Sequence, residues 1–312
     1  MNGPNRVLVT GGAGFIGSHV VDKLAGCGYE VRIVDDLSEG KLSNVEEHLK
    51  NGQVCFVKGD IRDAELARKC VRDVDAVVHL AAVTSVPFSV EKPSLTFDIN
   101  IGGTLNLLDA CAKANVKRFV FASSCSVYGD PAYLPVNEEH PTFPMSPYAA
   151  SKLEGEGCCR TYQEQHGLPM VVLRLFNVYG PRQKLDAYSG VIARFFSRAK
   201  KHAPLVIYGD GSQIRDFVHV WDVAEAVLKA LEIMGVEGEV FNIGFGKATS
   251  VNSLAKSVLD LAGANLDIVY ENPRAGDVKA SFADISKARK QLNYEPIVPL
   301  EKGLRSMVEQ VC

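Results

Sequence analysis

Short apolar runs, each closed by glycine, aspartate or small polar residues, recur through the first half of the chain. Residues 7–10, 30–34, 54–57, 119–122 and 170–175 read as buried strands, and 75–82 as a strand with its exit loop. Between them, 18–25, 64–71, 100–114 and 147–166 carry helical periodicity, with Leu105, Leu108 and Ala112 on one apolar stripe of the third. Strand and helix alternate throughout, which predicts an α/β fold built on a doubly wound parallel sheet of Rossmann type. From about residue 180 the alternation breaks down. A basic amphipathic helix over 190–201 leads to short segments at 206–211 and 215–220. A helix at 222–234 and a short strand at 240–243 return to the first lobe. Another helix covers 250–262, a loop 274–277, and the tail from Ser286 is mostly helical. No repeat, low-complexity tract or linker interrupts the 312 residues. One body with two interwoven lobes is expected, the second a smaller α/β lobe.

Composition excludes several classes. The chain is 46% hydrophobic with a net charge of −3, and no basic run suits a phosphate backbone, so nucleic acid is not an expected partner. No apolar run reaches the roughly 20 residues a membrane helix needs, and residues 1–6 lack the shape of a signal peptide. Cys27, Cys55, Cys70, Cys111, Cys125, Cys158, Cys159 and Cys312 fit neither a disulfide framework nor a metal knuckle. A reducing cytoplasm and no metal site are the expectation.

Chemistry concentrates at strand ends. Gly11, Gly14 and Gly17 stand between the first strand and the first helix. There they permit a tight turn, close backbone approach to a pyrophosphate, and helix-on-strand packing. The phosphates would rest on the helix N-terminus. Asp35 ends the second strand, where an adenosine ribose needs a carboxylate. With Asp36 it would repel a ribose phosphate, so NAD is favoured over NADP. His79, inside an apolar strand, reads as a satisfied core histidine. The fifth strand delivers Ser123 to Gly129 at its C-terminal end. Ser146 is a good N-cap and Pro147 suits the first helical position. Tyr148 and Lys152 then share one face. The ammonium and the helix N-terminus should draw the phenol down from ~10 toward neutrality, ready to take a proton from a hydroxyl.

Six motifs occur in register: Thr10-Gly11-Gly12-Ala13-Gly14-Phe15-Ile16-Gly17, Gly59-Asp60-Ile61-Arg62, His79-Leu80-Ala81-Ala82, Ser123-Ser124-Cys125-Ser126-Val127-Tyr128-Gly129, Tyr148-Ala149-Ala150-Ser151-Lys152, and residues 174–182 from Arg174 to Arg182. Together they resemble the extended short-chain dehydrogenase/reductases acting on nucleotide sugars. Within these, the chain is most similar to UDP-glucose (UDP-galactose) 4-epimerases, especially forms accepting N-acetylated sugars. The resemblance implies an NAD-binding domain over 1–176, 216–245 and 277–286, and a nucleotide-sugar lobe over 177–215, 246–276 and 287–312. It implies Tyr148 as catalytic base and acid, Lys152 lowering its pKa and holding the nicotinamide ribose, and Ser124 bonding the same sugar hydroxyl. Gly11, Gly14, Phe15, Ile16, Asp35, Asp60 and Ile61 would line the NAD site, with Leu80 and Ala82 nearer the nicotinamide. Asn177, Arg215 and Arg274 would hold the UDP diphosphate, and Asp277 its ribose. Forked guanidiniums and a carboxylate suit those roles chemically.

The same resemblance implies an isomerase. Hydride leaves sugar carbon 4 for NAD as Tyr148 takes the 4-hydroxyl proton. The 4-keto sugar turns over, and hydride returns to the other face. Cys125-Ser126 stands where the related 4,6-dehydratases carry Asp-Glu and the UDP-glucuronate decarboxylases a glutamate, which argues against both. Residues 84–87, Thr84 to Pro87, lack the lysine many 4-epimerases carry. UDP-glucuronate 4-epimerisation, net oxidation of another nucleotide sugar, and a non-catalytic dinucleotide sensor are the competing readings. The intact Ser124, Tyr148 and Lys152 set argues against the sensor. Ser281 borders the carbon-2 substituent by resemblance, where a small residue leaves room for an acetamido group. A homodimer built on 100–114 and 147–166 is also implied.

Overall fold

A computed structural model describes residues 5–184, 190–273 and 277–311; Arg274 and Cys312, both singled out above, lie outside them. The apolar runs become strands β1 (Arg6–Thr10), β2 (Glu30–Asp35), β3 (Val54–Lys58), β4 (Ala76–His79), β5 (Arg118–Ser124) and β6 (Met170–Leu175), joined at one edge by Val240–Ile243. The order across the sheet is Val240–Ile243, β6, β5, β4, β1, β2, β3. Every pairing is parallel. The chain steps from β1 outward to β3 and then crosses back to β4. Strand order therefore reverses beside β1, and a crevice opens outside the carboxyl ends of β1 and β4.

Side chains alternate across the sheet. Val7, Val9, Val78 and Val120 pack with Val20 and Leu24 of helix α1 (Phe15–Gly26) and with Val223 and Val227 of the helix Val220–Glu232. Leu8, Val77, Phe119 and Phe121 face the opposite layer, against Cys70, Leu107, Leu108, Cys111 and Cys159. The described cysteines are free thiols. A third apolar cluster joins Ile192, Phe195 and Phe196 to Leu205, Leu254 and Leu304, so the second half of the chain builds a core of its own. Among the described residues no helix is long and apolar enough to cross a membrane.

Two elements differ from expectation. Helix α1 begins at Phe15 rather than Ser18, because Gly17 sits inside its first turns, where a Cβ would come within 2.0 Å of Gly11 O. The helix expected over 100–114 opens with a π-helical turn, Asp98–Gly102, before the α-helix Gly103–Lys113. Its buried face runs through Thr104, Leu107, Leu108 and Cys111, while Leu105, expected on the same stripe, is 38% exposed.

His79 is a core residue as expected, bonded to Thr10 Oγ1 at 2.7 Å and Thr104 Oγ1 at 2.9 Å. A buried ion pair lies behind β5. Arg174 of β6 reaches Glu156 of the helix Pro147–His166 through Nε at 2.9 Å and Nη2 at 2.6 Å. Ser123 also donates to Glu156, and Arg174 Nη1 donates to Tyr128 OH at 2.9 Å. Removing one member of such a pair strands the other charge in the interior. Glu156→Gln should therefore lower the unfolding free energy by about 3–5 kcal/mol, read from denaturant curves. A loss below about 1 kcal/mol, the scale of an exposed pair, would show that the pair is not structurally important.

Candidate active site

The crevice at the strand reversal is a cleft of about 1340 Å³. Gly11, Gly14, Phe15, Ile16, Asp35, Asp60, Ile61, Leu80, Ala82, Ser124, Tyr148 and Lys152 all line it. Gly11 has φ +69°, and a Cβ there would stand 2.9 Å from Ala81 N, so only glycine lets the turn pass so close to the loop after β4. Helix α1 starts from Gly14 with no capping side chain, leaving its first-turn amides without a side-chain acceptor. Such a turn is suited to phosphate oxygens. Asp35 steadies the glycine loop, accepting Ala13 N at 3.0 Å and Leu37 N at 2.9 Å. Burial raises its pKa above the ordinary value against those two bonds. Ile61 reaches the cleft because Gly103 opposite carries no side chain; a Cβ there would be 2.5 Å from Ile61 Cδ1. Asp60 beside it is gripped by Arg62, which holds its carboxyl below the usual range.

Ser146 caps the helix Pro147–His166, accepting Ala149 N at 3.1 Å, and so fixes Tyr148 in the first turn at the cleft wall. Lys152 is buried one turn on. Its Nζ donates to Ala122 O at 2.8 Å and lies 5.1 Å from the centre of the Phe121 ring. Burial pulls this lysine down to about 8. The phenol is not drawn toward neutrality as the spacing predicted. Tyr148 is half-buried, yet the cleft walls exclude enough water that burial pushes it up to about 12, against a hydrogen bond with Ser124. The Lys152 ammonium is committed to the Ala122 carbonyl, and desolvation of the phenol prevails.

Asn177, Arg215, Asp277 and Ser281 stand outside the cleft lining. The Asn177 side chain donates to Asp216 O at 2.9 Å. Arg215 and Asp277, expected to hold the diphosphate and the ribose, are ion-paired with each other at 2.8 Å. Ser281 is buried and donates its N–H to Ile214 O at 3.0 Å. The residues Ile214–Arg215 thus gather Arg215, Asp277 and Ser281 into one group. Beside it, Asp130, Leu134, Ser212, Ile214, Lys279 and Ala280 line a smaller pocket of about 260 Å³. No group of three or more His, Cys, Asp or Glu side chains among the described residues could hold a metal ion.

Several contributors escape a reading of the sequence. Asn100, turned inward by the π-helical turn, accepts Val83 N at 2.8 Å and donates to Ser151 Oγ at 2.9 Å. It ties the loop after β4 to the Tyr148 helix. At the cleft mouth Lys184 pairs with Glu39, and Arg182 with Asp22 at 2.7 Å. Nothing local in the sequence signals these long-range bonds; the helical offset of Glu156 from Lys152 is the one hint of what lies behind the site.

A family profile described as the NAD dependent epimerase/dehydratase family matches residues 7–244. A putative UDP-glucose 4-epimerase of Methanocaldococcus jannaschii is 44% identical over 97% of both chains. Among solved structures, the Thermotoga maritima UDP-glucose 4-epimerase with UDP-glucose has a TM-score of 0.92 at 42% identity, covering 97% of each chain. The UDP-N-acetylglucosamine 4-epimerase of Methanobrevibacter ruminantium M1, in complex with UDP-N-acetylmuramic acid, has a TM-score of 0.94 at 39% identity, covering 99% of this chain and 98% of that one. With the profile spanning most of the chain and relatives matched nearly end to end, this protein belongs to the NAD-dependent epimerase/dehydratase family and takes NAD as its cofactor.

Proposed function

We propose that the protein inverts carbon 4 of a UDP-hexose, acting on the UDP-glucose/UDP-galactose pair and on the corresponding N-acetylated pair. The observation that carries this reading is the convergence of Ser124, Tyr148 and Lys152 on the cleft that also holds the glycine turn. The residues present suit NAD. Uncapped amides at the start of α1 face phosphate chemistry, and Asp35 suits ribose hydroxyls. Leu80 and Ala82 leave a narrow apolar wall, and Lys152 offers an ammonium for the second ribose. When bound, NAD supplies a reversible hydride acceptor and, in its oxidised form, a positive ring charge.

The chain's own part is proton handling and position. Tyr148 takes the 4-hydroxyl proton and later returns one, and Ser124 orients the same hydroxyl. A positive charge in the cleft lowers the phenol from the high value that burial imposes. Asn177, Arg215 and Asp277, with Arg274 from outside the described residues, hold the UDP part. For this, the Arg215–Asp277 pair exchanges partners. The segments 177–215, 246–276 and 287–312 then act as the lobe that anchors the nucleotide while the sugar turns. The likeness to a UDP-glucose 4-epimerase and to a UDP-N-acetylglucosamine 4-epimerase supports both sugar series. Offering UDP-glucose, UDP-N-acetylglucosamine and UDP-glucuronate separately, with product analysis by NMR, tests the choice. Inversion of glucuronate alone would contradict it.

Tyr148→Phe removes only the proton-transfer atom, so turnover should fall roughly 100- to 10,000-fold while UDP-sugar binding by calorimetry persists. Turnover within a few-fold of wild type would remove Tyr148 from the mechanism. Asp35→Ala should weaken NAD retention through gel filtration and relax discrimination against NADP. Wild type that purifies with NADP would show that Asp35 does not select the cofactor. Ser281→Tyr would crowd an acetamido group, and overpacking costs about 1–3 kcal/mol. The ratio of N-acetyl to plain-hexose activity should therefore drop roughly 10- to 100-fold. An unchanged ratio would mean that Ser281 does not border the sugar.

A further inference from the structure

β5 ends at Ser124, and the next residues, Cys125–Tyr128, form a single 3-10 turn capped by Ser124 itself. Ser126 addresses its neighbour twice. Ser124 Oγ accepts the Ser126 N–H at 3.2 Å and the Ser126 hydroxyl at 2.9 Å. Ser124 is buried and lines the cleft, and Ser126, half-buried in the turn, reaches it through these two bonds. The turn is held at both ends by the same buried pair. Ser123 donates to Glu156, while Tyr128 OH accepts from Arg174 and donates to Asn242 Oδ1 at 2.6 Å.

A hydroxyl oxygen has two acceptor positions and one hydrogen. Ser126 fills both acceptor positions of Ser124. The Ser124 hydrogen is left to point away from the turn, toward the cleft that Ser124 and Tyr148 both line. We propose that Ser126 is a positioning residue for the reaction: by donating twice to Ser124 it directs the Ser124 hydroxyl hydrogen into the cleft, at Tyr148 and the sugar hydroxyl. This rests on the reading in which Ser124 and Tyr148 act on that hydroxyl.

A fixed donor aimed at the phenol oxygen favours its ionised form. In Ser126→Ala, Ser124 keeps the amide donor and loses the hydroxyl one, so its hydrogen is free to turn toward the vacated position and that preference weakens. The titratable group that acts on Tyr148 is Cys125 from the turn, and Lys152 lies one turn on along its own helix. Behind Lys152 stand Glu156, Cys159 and, from β4, His79. Burial pushes Cys125 up to about 12 and His79 down to about 3, so neither changes charge near neutrality. Glu156 is held by Arg174. A shift seen in the mildly alkaline range thus belongs to Tyr148 or Lys152.

The test is a pH titration by carbon-13 NMR of holoenzyme labelled at tyrosine Cζ, with Tyr148→Phe assigning the signal. At a given pH, Ser126→Ala should leave Tyr148 roughly three- to tenfold less ionised than wild type, equivalent to about half to one pH unit. Ser126→Thr, which keeps the hydroxyl, should restore the wild-type titration. With UDP-glucose, kcat of Ser126→Ala should fall by a similar factor with KM unchanged, and both variants should melt as wild type does. An unchanged Tyr148 titration in Ser126→Ala, or a change that threonine does not reverse, would overturn the proposal. So would a raised KM with normal ionisation, which would place Ser126 against the sugar instead. The titration needs no turnover. A wild type that epimerises no UDP-sugar therefore contradicts the proposed function while the NMR comparison still decides the role of Ser126.

Discussion

The buried pair between Arg174 and Glu156 is the constraint on which the site's geometry depends. It joins β6 to the helix that carries Tyr148 and Lys152, and it grips the turn after β5 from both sides through Ser123 and Tyr128. Neither charge has water to turn to, so each holds the other in one arrangement. Ser124 and Tyr148 come from elements with no local connection, yet this pair behind them, together with the Lys152 bond to Ala122 O, holds their relative position. Asn100 does comparable work on the other side, tying the loop after β4 to Ser151.

Such rigidity comes with dehydration, and dehydration works against the chemistry. A phenol in this cleft resists losing its proton, and a buried lysine resists keeping its own. In the proposed mechanism, the same groups that exclude water from the reacting hydroxyl raise the barrier to ionising the base. Charge supplied by the cofactor and a directed hydrogen bond from Ser124 would offset that cost, which would make proton transfer conditional on a filled site. Coupling of this kind suits a reaction in which NAD must leave each cycle unchanged.

How much was legible in the sequence follows from how local each feature is. The glycine turn, Asp35 and the Tyr148–Lys152 spacing were readable because strand ends and helical turns fix their geometry within a few residues. The sheet was readable for the same reason. Leu105 was misplaced because apolar spacing does not tell which side of the helix is covered: the buried face runs through Thr104, Leu107, Leu108 and Cys111 and leaves Leu105 at its edge. The charge state of Tyr148 was misjudged because spacing tells which groups are near but not how dry they are. Arg174 with Glu156, and Asn100 with Ser151, join distant parts of the chain, so no local pattern pairs them. The grouping of Arg215 with Asp277 has the same character: resemblance named both residues, and only the fold shows that they meet.

The central claim is that carbon 4 is inverted by a hydride that leaves and returns to the same sugar, with Tyr148 moving only the hydroxyl proton. Running the reaction on UDP-glucose in deuterated water, with no NAD added, tests this most directly. NMR of the product should show the galactose configuration with ordinary hydrogen at carbon 4. Deuterium at carbon 4 would mean that the carbon–hydrogen bond is broken as a proton exchanging with solvent. Failure to invert without added NAD would mean that the cofactor is not retained from cycle to cycle. Either result would contradict the account.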